Sequence, residues 1–119
     1  MQVAQLIVFE PDLLFSSRIE SAAAKVGFPV KVFDNLDEFL KEAKEATPQV
    51  ALVNLDAAMG RFEALEGVAR SLSCKVIGYY SHVNSSLAAE AQRTGISAVL
   101  SRGAFANKLQ ALLREFSLG

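Results

Sequence analysis

Polar side chains that could hold a metal ion and a phosphoryl group follow three of the short apolar runs in this sequence. Carboxylates are the usual ligands of Mg²⁺, and a nearby cation neutralises phosphate oxygens. A magnesium-dependent phosphoryl site therefore needs acidic groups and a cation brought together by the fold. The candidates are Glu10 and Asp12 after the first run, Asn54 and Asp56 after the third, and Arg102 after the last.

The apolar pattern of the chain alternates between continuous runs and a spacing of three to four residues. The runs predict five strands, and the wider spacing predicts five helices between and after them. This order predicts an α/β fold: a flavodoxin-like, doubly wound, five-stranded parallel sheet with five helices, forming a single domain over residues 1–119. The predicted strands are Leu6–Phe9, Val30–Phe33, Val50–Val53, Val76–Tyr80 and Ala98–Ser101. The helical stripes begin at Phe15, Leu36, Phe62, Leu87 and Phe105.

Several helix ends are marked by residues with known positional preferences. Gly27 and Gly95 are expected to stop the first and fourth helices. Asn35 is expected to cap the second helix, with Glu38 three positions later, and Pro48 follows its end. The fourth helix has a thin apolar face, so its prediction rests mainly on its place in the alternation.

Ligands of doubly wound sheets bind beyond the carboxyl ends of the strands, and the segments there resemble those of a known family. The chain resembles a response-regulator receiver domain over essentially its whole length. That resemblance implies an acid pair after the first strand, a phosphoacceptor aspartate ending the third, and a Lys-Pro pair after the fifth. The matching segments are LIVFEPD at 6–12, PQVALVN at 48–54 and AVLSRG at 98–103.

The two positions that matter most for phosphorylation depart from the family pattern. Asn54 stands where the acceptor aspartate is expected, and an amide cannot be the nucleophile that forms an acyl phosphate. Pro11 takes the second place of the acid pair. Glu10 is therefore the only carboxylate at the two positions of the pair, and Asp12 follows one residue after them. Mg²⁺ favours octahedral oxygen ligands with one or two carboxylates, so we expect no metal site and no cofactor.

Further departures lie at the remaining positions of the same site. Tyr80 stands where receivers carry a small hydroxyl residue, and we expect its phenol to crowd the space of a phosphoryl group; Ser81 follows it. Val99 replaces the aromatic residue of the family's switch. Arg102 replaces lysine and is expected to hydrogen-bond Glu10 or Asp12, while Gly103 replaces proline, which favours a trans peptide.

We interpret the chain as a degenerate receiver: a signalling module, not an enzyme, that binds a partner protein without phosphorylation. By resemblance, the fourth helix, fifth strand and fifth helix form the docking face, and a homodimer is possible. Residues expected on that face are Gln92, Arg93, Lys108 and Arg114. The alternative is a working phosphotransfer receiver that uses Asp56 or Asp12 with magnesium, although Asp56 is expected to face solvent in a loop. Asn54 and Asp56 could instead simply cap turns.

Composition excludes several other classes of protein. The net charge of −1 provides no strong field for nucleic acid or an anionic membrane. Cys74 and His82 are single residues of their type, so no internal disulfide and no two-histidine zinc site can form. No apolar run near the N-terminus has the length of a signal peptide core, which favours a cytoplasmic protein. No glycine-rich loop follows the first strand, which argues against a nucleotide or flavin binder.

Overall fold

The computed structural model describes residues 5–46, 48–71, 74–81 and 85–118. Strands and helices alternate along these residues. The strands are β1 (Leu6–Phe9), β2 (Val30–Phe33), β3 (Val50–Asn54), β4 (Lys75–Tyr80) and β5 (Ala98–Ser101). The helices are α1 (Leu13–Lys25), α2 (Leu36–Ala46), α3 (Phe62–Ser71), α4 (Ser85–Gln92) and α5 (Arg102–Leu118).

All five strands are parallel and form one sheet in the order β2-β1-β3-β4-β5. Apolar residues of α1 and α5 pack on one face of the sheet, and those of α2, α3 and α4 pack on the other. Both faces are therefore covered, which explains why β1 and most of β3 are continuous apolar runs. The predicted doubly wound α/β fold is confirmed.

The local signals for helix ends are also found in the structure. Asn35 accepts a hydrogen bond from the Glu38 N–H at 3.0 Å, as an N-cap residue does. Gly27 and Gly95 follow α1 and α4 with positive φ angles of 69° and 84°. The sequence pattern also predicts that the second helix ends at Thr47 and that Leu72 and Phe116 lie on the apolar stripes of the third and fifth helices. Thr47, Leu72, His82 and the side chain of Phe116 lie outside the described residues.

The junction between β5 and α5 contains no loop residues. β5 ends at Ser101, and α5 begins at the next residue, Arg102. The Ser101 hydroxyl accepts a hydrogen bond from the Ala104 N–H at 3.2 Å, which satisfies one of the free donors at the start of the helix. Arg102 and Gly103 therefore belong to the first turn of α5.

Gly78 in β4 lies against Leu55, a fully buried residue just after β3. A Cβ atom at Gly78 would lie 2.7 to 2.8 Å from Cγ and both Cδ atoms of Leu55. Real Cβ atoms do not approach other atoms so closely, so the Leu55 side chain would have to move inside a packed core.

We expect Gly78→Ala to destabilise the protein by about 1–3 kcal/mol, the usual effect of overpacking a core. Urea denaturation measures this change. Gly103→Ala is the matched control, because nothing lies within 4 Å of the Cβ it would add and alanine is favoured in helices. Equal stabilities of the two variants would contradict this account of Gly78.

Candidate functional site

A buried carboxylate, that of Glu10, lies at the centre of the polar residues at the ends of the strands. Glu10 follows β1 and is 1% exposed. Its Oε2 accepts hydrogen bonds from the Asp12 N–H at 3.0 Å and from Asn54 Nδ2 at 2.9 Å. Its Oε1 accepts one from the Tyr79 hydroxyl at 2.8 Å. A carboxylate is only an acceptor when ionised, so three donors from three chain segments compensate its burial.

The convergence of these three side chains follows from strand alternation and register. Side chains of even-numbered β1 residues face α1 and α5, and so do Leu52 of β3 and Ile77 of β4. Glu10, Asn54 and Tyr79 continue these series two residues further along their strands. Asn54 pairs with Tyr79 in the sheet register, while β1 is the other neighbour of β3. The three polar groups therefore meet on the α1–α5 side.

Asn54 uses both atoms of its amide group. Nδ2 donates to Glu10, and Oδ1 accepts a hydrogen bond from the Ala57 N–H at 3.1 Å in the turn after β3. The turn-capping role considered from the sequence is thus present. Asn54 also donates the hydrogen bond to Glu10, which an ionised carboxylate at this position could not do because it has no donor group.

Tyr79 lies within the predicted strand Val76–Tyr80, and the sequence analysis did not single it out as a residue of the site. Its side chain is 1% exposed, and its ring stacks on Phe105 of α5 with centroids 4.3 Å apart. Phe15 of α1 lies at 5.3 Å on a tilted plane. Burial, together with the neighbouring Glu10 carboxylate, raises the pKa of the Tyr79 hydroxyl well above its ordinary value. The phenol is therefore a neutral hydrogen-bond donor to Glu10.

Tyr80 does not contribute the phenol of the Glu10 network, and its crowding of a phosphoryl group stays a prediction. It is half-buried and packs against the apolar cluster on the α2–α3–α4 side. Adjacent residues of a strand point to opposite faces, so only Tyr79 is directed at Glu10. Val99 also packs against the α2–α3–α4 cluster.

Asp56 lies in the turn after β3 but does not simply face solvent, which corrects the expectation. It is half-buried, and its Oδ2 accepts a hydrogen bond from the Ser81 N–H at 2.7 Å. Ser81 follows the last residue of β4. This bond ties the turn after β3 to the end of the neighbouring strand.

Asp12 and Arg102 form the exposed edge of the site. Asp12 is the N-cap of α1 and accepts a hydrogen bond from the Leu14 N–H at 2.9 Å. Arg102 Nη2 lies 3.3 Å from Asp12 Oδ2, which confirms the expected pairing and selects Asp12 over Glu10. The Leu14 N–H and, second, the Arg102 guanidinium lower the pKa of the Asp12 carboxyl. Arg102 also lies over the Phe15 ring, 4.2 Å from its centroid.

Pro11 and Gly103 are both exposed. Pro11 lies between Glu10 and Asp12, where it offers no second carboxylate. A Cβ atom at Gly103 would meet nothing within 4 Å, so close packing does not explain the glycine.

The side chains at this site do not fit a magnesium ion. The oxygens of Glu10 already accept three hydrogen bonds, Asn54 Oδ1 accepts one, and Asp12 is committed to the helix cap and to Arg102. No group of three or more His, Cys, Asp or Glu side chains that could hold a metal ion occurs in the parts of the chain that the structure describes. Burial raises the pKa of Cys74 to about 11, so this thiol is protonated at neutral pH, whereas metals bind the thiolate.

Comparison with known proteins finds similar solved structures. No protein-family model and no curated protein matches the chain. A response regulator from Thermotoga maritima superposes with a TM-score of 0.81 at 13% identity, covering 99% of this chain and 100% of the other. The signal receiver domain of the putative response regulator NarL from Mycobacterium tuberculosis gives 0.79 at 18% identity, with coverage of 100% and 99%.

The fold is that of response-regulator receiver domains. A third structure agrees: the signal receiver domain of a modulated diguanylate cyclase from Desulfovibrio desulfuricans G20, with a TM-score of 0.79 and 20% identity, covering 98% of this chain and 95% of the other. The receiver fold thus extends over the full length on which the sequence resemblance was based. None of the helices in the described ranges is both long and apolar enough to cross a bilayer.

Proposed function

We propose that residues 1–119 form a receiver-like signalling module that binds a partner protein without a phosphorylation cycle. The observation that carries this proposal is the state of Asn54 at the end of β3. Its amide is not a nucleophile, and it donates a hydrogen bond of 2.9 Å to the buried Glu10 carboxylate. The position that the resemblance assigns to phosphate acceptance therefore has a structural role.

The nearby carboxylates support the same proposal. Asp56 already accepts a hydrogen bond from the Ser81 N–H, and Asp12 accepts hydrogen bonds from the Leu14 N–H and from Arg102. Metal binding or attack on phosphorus by either carboxylate would compete with the contacts that hold the turn after β3 and the start of α1. We propose a module with neither catalytic activity nor cofactor.

The docking face in this proposal is formed by α4, β5 and α5. Four polar residues expected on this face are exposed. They are Gln92 and Arg93 at the end of α4, and Lys108 and Arg114 on α5. A cytoplasmic protein partner or a second copy of the chain is the proposed occupant, with no role for nucleic acid or membrane.

Incubation with acetyl phosphate and Mg²⁺, followed by intact-mass measurement, tests the absence of phosphorylation. We expect the mass to stay unchanged, while an authentic receiver treated in parallel gains one phosphoryl group. Asn54→Asp is also expected to stay unlabelled, because Pro11 still withholds the second carboxylate and Tyr79 still occupies the space beside Glu10.

A persistent gain of one phosphoryl group by the unmodified protein would overturn the proposal. Loss of that label in Asp56→Asn or in Asp12→Asn would then identify the acceptor residue.

A further inference from the structure

A groove of about 480 Å³ lies between α1 and α5 on the outer surface of the molecule. Its volume is in the range of sites that hold small organic ligands. Ala22 of α1 and Ala106 of α5 line it and are half-buried, and Leu109 of α5 lines it and is buried. Because the two alanines have short side chains, space remains between the helices above an apolar floor.

Two cations line the α1 side of the groove. Arg18 and Lys25 are exposed, and no carboxylate is found among the described residues that line the groove. Within the described parts of the chain neither cation forms an ion pair, in contrast to Lys31, which pairs with Glu42. The Arg18 guanidinium carbon lies 5.9 Å from the centroid of the Phe15 ring, a contact that restrains the side chain. The groove therefore has a positive potential.

The two cations lie on the same side of α1, because residues seven positions apart in a helix are separated by almost two full turns. Their separation along the helix axis is about 10.5 Å. Ser21 lies between them, and Ser17 and Gln110 add further hydrogen-bonding groups to the lining. The groove thus has a positive charge near each end, polar groups along its sides and an apolar floor.

We propose that the α1–α5 groove binds an elongated small molecule that has an anionic group at each end and an apolar middle. Arg18 binds one anionic end and Lys25 the other, while the middle covers Ala22, Ala106 and Leu109. Arginine and lysine form charge-assisted hydrogen bonds with carboxylate and with phosphate alike. Long-chain dicarboxylates and their phosphate-ended counterparts share this chemistry.

A ligand with two charged ends fits this groove better than a single small anion does. Inorganic phosphate is too small to reach both cations, and it leaves the apolar floor in contact with water. Joining two anions through an apolar chain makes the second contact intramolecular, which raises the affinity above that of either end alone. Burial of the chain against the floor adds a hydrophobic contribution.

The lining of this groove includes none of the four polar residues expected on the α4–β5–α5 docking face, so the inference does not rest on the proposed function. Its test therefore gives an answer whether or not the domain can be phosphorylated.

Decanedioate is the first probe, because its extended length is close to the separation of the two cations. The second is decanediol bisphosphate, which has the same chain and phosphate ends. NMR titration of the ¹⁵N-labelled protein measures the affinity and locates the site. We expect saturable shifts at the groove residues of α1 and α5 with at least one of these probes, and binding that weakens as salt is raised. The tighter of the two probes identifies the end group.

The one-ended analogues, decanoate and decyl phosphate, and the short dianion butanedioate should each bind at least tenfold more weakly than the two-ended probe. These comparisons test whether both charges and the distance between them are needed.

Two variants test the cations and the floor separately. Arg18→Gln/Lys25→Gln removes both cations, and Ala106→Leu fills the groove while both cations stay in place. Each should weaken binding at least tenfold. The matched control, Lys41→Gln/Lys44→Gln, removes two exposed charges from α2, which packs on the opposite face of the sheet, and should alter the affinity less than twofold. Urea denaturation verifies that each variant is folded.

The proposal is overturned if neither two-ended probe gives saturable shifts in the groove, or if the one-ended analogues bind as tightly. Equal losses in the cation variant and its control, unchanged binding by Ala106→Leu, or shifts confined to other surfaces would also contradict it. Inorganic phosphate that binds the groove as tightly as the probes would reduce the site to an adventitious anion contact. Shifts in the groove on dilution of the protein alone would assign it instead to contact between copies of the chain.

Discussion

Replacing Asn54 by aspartate is expected to destabilise the protein by about 1–3 kcal/mol at neutral pH. The amide donates a hydrogen bond of 2.9 Å to the Glu10 carboxylate, which is 1% exposed. An aspartate places a second carboxylate at that distance, and two such groups cannot both ionise without strong repulsion. Urea denaturation at pH 7 measures the loss.

The destabilisation of Asn54→Asp should depend on pH in a defined direction. Repulsion raises the pKa of the carboxyl pair in the folded state above the unfolded values of about 4. The unfolded chain then releases more protons than the folded one as the pH rises through this interval, so stability falls with rising pH. The deficit relative to the unmodified protein should therefore be smaller at pH 4 than at pH 7.

The control for this prediction is Asn35→Asp, which adds the same charge at an exposed helix cap. Aspartate and asparagine cap helices equally well, so its stability should change by less than about 0.5 kcal/mol. If Asn54→Asp proves as stable as this control at pH 7, the hydrogen bond from Asn54 to Glu10 does not have the role assigned to it.

Removing the Glu10 side chain is expected to have the largest effect on stability, about 3–5 kcal/mol for Glu10→Ala. The Asp12 N–H, Asn54 Nδ2 and Tyr79 hydroxyl would all lose their acceptor, and a cavity would remain among them. Domains of this size have a free energy of unfolding of about 5–15 kcal/mol. The change is measured from the midpoint and slope of urea denaturation.

Glu10→Gln separates the loss of the acceptor from the loss of charge. Its amide oxygen can keep the bonds from Asp12 and Asn54, and its NH₂ group can donate to the Tyr79 oxygen if that hydroxyl turns. We expect it to be at least about 1.5 kcal/mol more stable than Glu10→Ala. Equal losses in the two variants would show that the charge of the carboxylate, which both variants lack, holds this part of the fold, and not the volume and acceptor oxygen that glutamine keeps.

The sequence predicted the elements well because each depends on local spacing. Strands were found from their apolar runs and helices from their stripes, and caps such as Asn35 act within a single turn. The pairing of Arg102 with Asp12 was also predictable, since parallel strands bring their carboxyl ends to one edge of the sheet.

The role of Tyr79 could not be separated from that of Tyr80 by the same reasoning. In a sheet covered on both faces, strand residues are apolar whichever way they point, so alternation does not reveal which tyrosine faces which layer. A signal was available nonetheless: a buried tyrosine needs a partner for its hydroxyl, and Glu10 was the acid nearest in the predicted topology. Asp56 was misjudged because its partner, the Ser81 N–H, lies just beyond the end of another strand.

The position of Tyr79 also determines what optical spectroscopy of this protein observes. The chain has no tryptophan and two tyrosines, which are neighbours at the end of β4 and point to opposite layers of the sheet. The Tyr79 ring is stacked on Phe105 and bonded to a carboxylate, whereas Tyr80 is half-buried. The contribution of Tyr79 to the near-ultraviolet circular dichroism therefore arises inside the Glu10 network, and it reports on that network without an added label.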